Sequence, residues 1–232
     1  MVIGFHVILT AYGFWLPNDP RGSWSDFVGA WELVRFGRAT KTDERRSLAR
    51  EPHDRRARAR AKKVLKYPAV RFTGRQASAI GRGFGALVNR SALSICACSI
   101  LPEHTHLVVE QHRYPIEQIA NLLKGAATRQ LMSEGLHPFG ALREKCGRLP
   151  HAWARGLWKS VPRDAGRCPA GRSIRRGQPR QGRSAATTVV VCDAVQTGTV
   201  GVITRSPGGS RLNVMRGATN YSTTRARLAA RG

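Results

Sequence analysis

Residues 93–111, LSICACSILPEHTHLVVEQ, predict two β-strands joined by a tight turn. Residues 93–100 are an apolar run of the kind that is buried within a sheet. Leu101-Pro102-Glu103 has the composition of a turn, and residues 104–111 continue as a second strand. The segment therefore predicts a buried strand pair, and the other elements can be placed around it.

Strands and helices alternate on both sides of this pair. Residues 5–12 (FHVILTAY) predict an earlier strand, and residues 152–159 (AWARGLWK) predict a last one. Thr73 caps a predicted helix over 74–91, and Pro115 opens a second helix with an apolar stripe. The order β-α-β-β-α-β predicts an α+β fold over residues 1–159, a ferredoxin-like split βαβ antiparallel sheet with helices on one face.

The charge balance indicates the kind of partner. The 232 residues contain 39 Lys and Arg against 14 Asp and Glu, a formal net charge of +25. Such an excess favours a polyanion, above all nucleic acid. Residues 53–66 (HDRRARARAKKVLK) predict a short exposed helix with a solvated face. No apolar run is long enough to span a membrane and no signal peptide is evident, so we expect a cytoplasmic protein.

The composition changes after Lys159. Residues 160–232 contain thirteen Arg, no Lys, no Glu and one aromatic residue, Tyr221. Because these residues have few apolar side chains to bury, folding could not compensate the loss of conformational entropy. The tail is therefore predicted to be disordered. Residues 187–192 (TTVVVC) are the exception, since they have the pattern of an isolated strand.

His104 and His106 are the candidate metal ligands. Alternate residues of a strand share a face, so the two imidazoles can point at one ion. On its own, an H-x-H pattern is more often packing or surface than a ligand pair. The proline turn before it, the apolar strand after it and the basic chain around it favour the metal interpretation.

A family resemblance extends these observations. Residues 96–131, CACSILPEHTHLVVEQHRYPIEQIANLLKGAATRQL, resemble the central region of the HUH-type single-tyrosine transposases, in the REP-associated tyrosine transposase branch (IS200-like domain). Residues 6–24 are similar to the first strand and loop of that branch, and residues 151–159 to its last core strand. The resemblance thus covers residues 1 to about 159. Thr105 departs from it, because the residue between the histidines is usually bulky and hydrophobic.

The resemblance implies a protein that binds a DNA hairpin and cuts and rejoins one strand through a phosphotyrosine link. It implies that His104 and His106 hold a divalent cation, Mg²⁺ or Mn²⁺, which polarises the scissile phosphate. Basic residues that suit DNA contacts in the matching region are Lys124, Arg129, Arg155 and Lys159. For the two on the helix, ordinary solvated charge is an equally good interpretation.

The nucleophile that the family requires is absent from its expected place. The resemblance implies a Y-x-x-x-N-P segment within about two dozen residues of the last strand, a spacing of one loop and one helix. Residues 160–190 contain no tyrosine, and Tyr12, Tyr67 and Tyr114 lie in other elements. No catalytic residue is assigned, and the chain is predicted to be inactive in cleavage.

The composition of residues 160–232 suggests why the expected tyrosine is absent. If the gene is read in the frame shifted by one base, the codons that this sequence allows can encode a segment containing Y-V-E-D-N-P. Its tyrosine codon would span the codons of Ile174 and Arg175. An Arg-rich, Lys-free tail is what out-of-frame translation of a GC-rich gene yields. We hypothesise that residues 160–232 are a frameshift product, which the nucleotide sequence around codon 159 would decide.

Three functional classes remain open: an active or formerly active DNA strand transferase, a DNA-binding relic that holds DNA without cutting it, and a metal hydrolase. The hydrolase is disfavoured, because barrel hydrolases with H-x-H need about 250 residues and further ligands. Whether the chain is an enzyme is left undecided, with the relic favoured. The expected partner is single-stranded or hairpin DNA and not a membrane, and a homodimer stays an alternative.

Overall fold

A computed structural model describes residues 4–44, 48–142 and 147–161, together with three short strands further along the chain. In chain order the elements are β1 (Gly4–Thr10), α1 (Trp31–Val34), α2 (Arg55–Lys63), α3 (Gly74–Ser91), β2 (Ile95–Ile100), β3 (His104–Glu110), α4 (Ile116–Ser133), β4 (Trp158–Ser160), β5 (Val189–Val190), β6 (Gly201–Thr204) and β7 (Asn213–Arg216). Within the described part, no helix has both the length and the apolar character to cross a bilayer.

Strands β1 to β4 form one antiparallel sheet in the order β2-β3-β1-β4. The predicted strand pair is therefore present, with β3 inside the sheet and β2 at its edge. In the β1–β3 register, Ile8 lies opposite His106 and Thr10 lies opposite His104. The predicted α+β class is confirmed by this sheet and the helices that accompany it.

The core lies between one face of the sheet and the helices α3 and α4. Alternate side chains of the two central strands are buried there, namely Val7, Leu9, Thr105, Leu107 and Val109. The helices pack closely, since a Cβ atom at Gly83 would lie 2.8 Å from the carbonyl oxygen of Ala126. The helices cover this face, and the histidines project from the other.

The predicted helix over 74–91 is confirmed, with its cap at Thr73. Thr73 accepts a hydrogen bond from the backbone N–H of Gln76, and the Gln76 side chain accepts one from the backbone N–H of Thr73. This capping box satisfies two backbone donors at the start of α3. Pro115 precedes the first residue of α4. The charged segment also forms its helix, α2, with Asp54 accepting from the backbone N–H of Ala57.

The last strand is shorter than predicted. β4 covers only Trp158–Ser160, and Trp153 makes one isolated bridge to Ala11. Between them, the carbonyls of Ala154 and Gly156 accept hydrogen bonds from the ammonium of Lys124 and not from a neighbouring strand. Gly156 has a φ of +70°, which is incompatible with extended backbone. The prediction of a continuous strand over 152–159 is therefore wrong.

Beyond residue 161 the structure describes strands β5, β6 and β7, which form a second antiparallel sheet. β5 lies within the segment 187–192 that was predicted as a strand, although it is paired and not isolated. The expectation of disorder differs from the structure at these strands. For the other residues of the tail it falls outside the described part of the chain.

Candidate functional site

His104 and His106 lie on β3 and project from the face of the sheet opposite the helices. Between them, Thr105 points into the core and is fully buried, as the alternation of a strand requires. The two imidazole centroids are 4.8 Å apart, with the rings inclined at 72°. Both side chains are half-buried. The prediction that the two rings share one face is confirmed.

A third histidine, His6 on β1, joins this pair. Nε2 of His6 lies 3.0 Å from Nδ1 of His106, and the two rings stack within 10° of parallel. No local sequence pattern indicated His6 as a site residue. Its position at an interval of two from Ile8 was a usable signal, but only once the β1–β3 register placed Ile8 opposite His106.

Burial keeps these imidazoles neutral. Desolvation lowers the pKa of His106 to about 4, helped by repulsion from His104 and His6. Desolvation also lowers the pKa values of His6 and His104 from their ordinary range. At pH 7 each ring therefore has one N–H and one nitrogen lone pair, which is the state that binds a metal.

His104 is the clearest candidate to bind an outside ligand. Its Nδ1 is buried and has no hydrogen-bond partner among the described residues. The ring is held in place from the other side by Phe14, which stacks on it at 5.0 Å between centroids and 8° from parallel. A buried polar atom without a partner is costly, so an outside ligand at this position would be stabilising.

The two histidines could supply only part of the ligand set of a divalent cation. Within the described residues, no group of three or more His, Cys, Asp or Glu side chains is arranged to hold a metal ion. His6 does not complete a ligand set, because its Nε2 is engaged with His106. Mg²⁺ and Mn²⁺ prefer oxygen ligands, so His104 and His106 would share such an ion with water or phosphate oxygens.

The three imidazoles are the middle of a continuous line of rings across the open face of the sheet, which we call the aromatic row. Neighbouring centroids along it are between 4.8 and 5.9 Å apart. Its members, in order, are Phe14, His104, His106, His6, Trp158 and Trp24. The row thus joins the candidate metal ligands to two indoles at the edge of the sheet.

A cation lies at the Phe14 end of the row. The ammonium of Lys62 is 5.6 Å from the centroid of the Phe14 ring, and burial lowers its pKa. Among its charged neighbours, Arg21 is held by Asp19 through two hydrogen bonds of 2.8 and 2.9 Å. This lysine lies on α2, which was predicted to have a solvated face because the even distribution of charge along it gave no sign that Lys62 turns inward.

The four basic residues predicted to contact DNA differ in exposure and in their contacts. Arg129 and Arg155 are exposed, and Lys159 is exposed but forms an ion pair with Glu117. Lys124 is 9% exposed, and its ammonium donates to the carbonyls of Ala154 at 2.8 Å and Gly156 at 2.5 Å. This desolvation lowers the pKa of Lys124 to about 8. Its role is structural, so the predicted phosphate contact at Lys124 is not retained.

The ring contacts of the described tyrosines are with residues other than His104 and His106. Tyr12 and Tyr67 contact each other's rings and that of Phe139, on the side of the core. The Tyr114 ring lies beside His112. Tyr221 and the positions 174 and 175 fall outside the described residues. The described part of the chain therefore contains no tyrosine in ring contact with His104 or His106.

Comparison with known proteins finds no family model that matches the chain and no curated protein that matches it.

Proposed function

We propose that this chain is a DNA-binding protein of HUH transposase ancestry that holds single-stranded or hairpin DNA on the open face of its sheet. The observation that carries the proposal is the pair of neutral imidazoles, His104 and His106, on one face of the sheet. The Nδ1 of His104 is buried and has no hydrogen-bond partner in the part of the chain that the structure describes. The net charge of +25 supports a polyanionic ligand.

The arrangement of the sheet supports the ancestry. The order β2-β3-β1-β4, antiparallel throughout, is the order of a ferredoxin-like split βαβ core, which we propose for residues 1–159. In such a core the two central strands are β1 and β3. The candidate ligands would then lie at its centre, where two strands supply side chains to one site.

A divalent cation bound by His104 and His106 would act as a Lewis acid on a DNA phosphate. Other residues of the chain would position these two histidines and the phosphate. His6 fixes the ring of His106 through the 3.0 Å hydrogen bond, and Phe14 fixes the ring of His104. Lys62, at the same end of the row, supplies a positive charge for the phosphate backbone.

Binding without cleavage is the function we favour. Strand transfer through a phosphotyrosine needs a tyrosine within reach of the bound phosphate. The described tyrosines make their ring contacts elsewhere, and residues 160–190 contain none. The proposed protein is therefore a relic that holds DNA but does not cut it.

The test uses the full chain with labelled hairpin and single-stranded DNA, with and without Mn²⁺. We expect a shifted complex on a native gel, tighter with Mn²⁺, and neither cleavage nor a covalent adduct. In the variants His104→Ala and His106→Ala the gain from Mn²⁺ should be lost. In His151→Ala, which alters an exposed histidine outside the aromatic row, it should persist.

Each other outcome points to another class. A covalent protein–DNA adduct would establish an active strand transferase, and cleavage without an adduct would establish a metal hydrolase. Failure of the wild-type chain to shift either DNA would refute the proposal.

A further inference from the structure

The indole of Trp24 is unusually placed for so large an apolar group. It is 42% exposed, although it lies at the end of the aromatic row against Trp158, with centroids 5.9 Å apart and rings inclined at 80°. Trp158 in turn contacts His6 edge-on at 5.3 Å. Two rings, those of Trp158 and His6, therefore lie between this exposed indole and His106 on the open face of the sheet.

The backbone next to Trp24 is fixed by three hydrogen bonds of the preceding residue, Ser23. Ser23 donates its backbone N–H to the carbonyl of Thr40 at 2.8 Å and its hydroxyl to the carbonyl of Pro17 at 2.5 Å. Its carbonyl accepts from the backbone N–H of Thr42 at 2.9 Å. An exposed side chain on a fixed backbone is pre-organised for a ligand, since little entropy is lost when the ligand binds.

Charge and ring chemistry together select the occupant. Indoles stack on nucleobases with little regard to sequence, and a basic protein attracts the phosphates that connect those bases. The row has Lys62 at one end and Trp24 at the other, with the candidate cation ligands between them. A single strand, with its alternation of phosphate and base, matches this order of groups.

We propose that Trp24, supported by the inclined ring of Trp158, is a stacking platform for one unpaired base of a strand that has a phosphate at His104 and His106. This inference rests on the proposed function and adds the position at which a base is gripped. Because stacking on a π face tolerates every base, the platform would fix the register of the strand and would not read its sequence.

The experiment combines a protein variant with an altered DNA. A set of single-stranded oligonucleotides, each with one abasic position, is titrated against the full chain by fluorescence anisotropy. In the wild type, one abasic position should weaken binding about tenfold, while its neighbours have smaller effects. Trp24→Ala should weaken binding of the intact strand by a similar factor and should show no further loss at that abasic position. The two changes would then be coupled, as expected when they remove the same contact.

Trp31→Ala is the matched control, because Trp31 is also an exposed tryptophan, at 85%, but lies on α1 outside the aromatic row. It should leave both the affinity and the abasic profile unchanged. Thermal melting of Trp24→Ala, expected to match the wild type, shows that the variant is folded.

The outcomes separate the two proposals. If the wild type binds no DNA, the proposed function itself fails. If the wild type binds, but Trp24→Ala behaves as Trp31→Ala does or keeps the full abasic penalty, the platform is refuted and DNA binding stands.

Discussion

Nε2 of His6 and Nδ1 of His106 are 3.0 Å apart across the two central strands, and their rings are stacked. Two neutral imidazoles can share a hydrogen bond only if one donates its N–H and the other accepts. When His106 donates from Nδ1, its Nε2 keeps a lone pair for an outside ligand. His6 thereby acts as a positioning residue, in the way that partners of metal-bound histidines select the tautomer.

The first prediction concerns this hydrogen bond. His6→Leu removes the acceptor, so Mn²⁺ affinity measured by calorimetry should fall about tenfold to a hundredfold. His6→Gln keeps an acceptor oxygen and should recover much of the affinity. The ¹⁵N spectrum of His106 should show the Nδ1–H tautomer in the wild type and a mixture in His6→Leu. Equal Mn²⁺ affinity in the wild type and His6→Leu would show that His6 does not position His106.

The second prediction concerns Thr105, whose hydroxyl is fully buried with no hydrogen-bond partner among the described residues. Thr105→Val replaces the hydroxyl with a methyl group of similar size. The free energy of unfolding should rise by about 1 kcal/mol, because the cost of the unpaired hydroxyl disappears. Urea denaturation measures the change. Thr128→Val is the control and should give no gain, since the Thr128 hydroxyl donates to the carbonyl of Lys124. A loss of stability in Thr105→Val would indicate that the hydroxyl has a partner in solution.

The third prediction compares two helical glycines. A Cβ atom at Gly83 would lie 2.8 Å from the backbone oxygen of Ala126, so Gly83→Ala must push α3 and α4 apart. It should lower the free energy of unfolding by about 1–3 kcal/mol. At Gly125 the nearest atom is the end of the flexible Arg129 side chain, at 3.4 Å. Gly125→Ala should therefore raise the stability by up to about 1 kcal/mol, through helix propensity. Thermal melts that move in the same direction would contradict the close packing of the two helices.

The fourth prediction is a pH dependence. The pKa of His106 is about 4 in the folded chain and near 6.5 when unfolded, so between these values the unfolded chain binds more protons. The free energy of unfolding should fall as the pH is lowered from 6.5 to 4 and then level off for this group. His106→Gln should show a shallower decline in urea midpoint, while His151→Gln should follow the wild type. An identical slope in His106→Gln and the wild type would mean that His106 is not buried in its neutral form.

The parts of the site that the sequence could predict are those that depend on one element alone. Strand alternation is sufficient to place His104 and His106 on one face. His6 required the pairing register of two strands distant in the chain, which no local pattern contains. Lys124 is a different case, because it follows Ile116 and Ala120 at intervals of four, on the buried stripe of α4. That spacing was available, but charge is a strong indicator of exposure and outweighed it.

The strands of the sheet also differ in how far the local sequence predicts them. The hairpin of β2 and β3 was predictable from a strand, a proline turn and a strand in succession. The short β4 was not, because the carbonyls of Ala154 and Gly156 accept hydrogen bonds from Lys124, which is distant in the chain. Composition alone could not indicate this long-range contact.

β4 ends at Ser160, where it pairs with His6 of β1. A ribosome that reaches codon 161 has therefore already supplied every strand of the four-stranded sheet. A change of reading frame after codon 159, as hypothesised above, would alter only Ser160 among the residues of these four strands and would leave the rest of the sheet encoded as before.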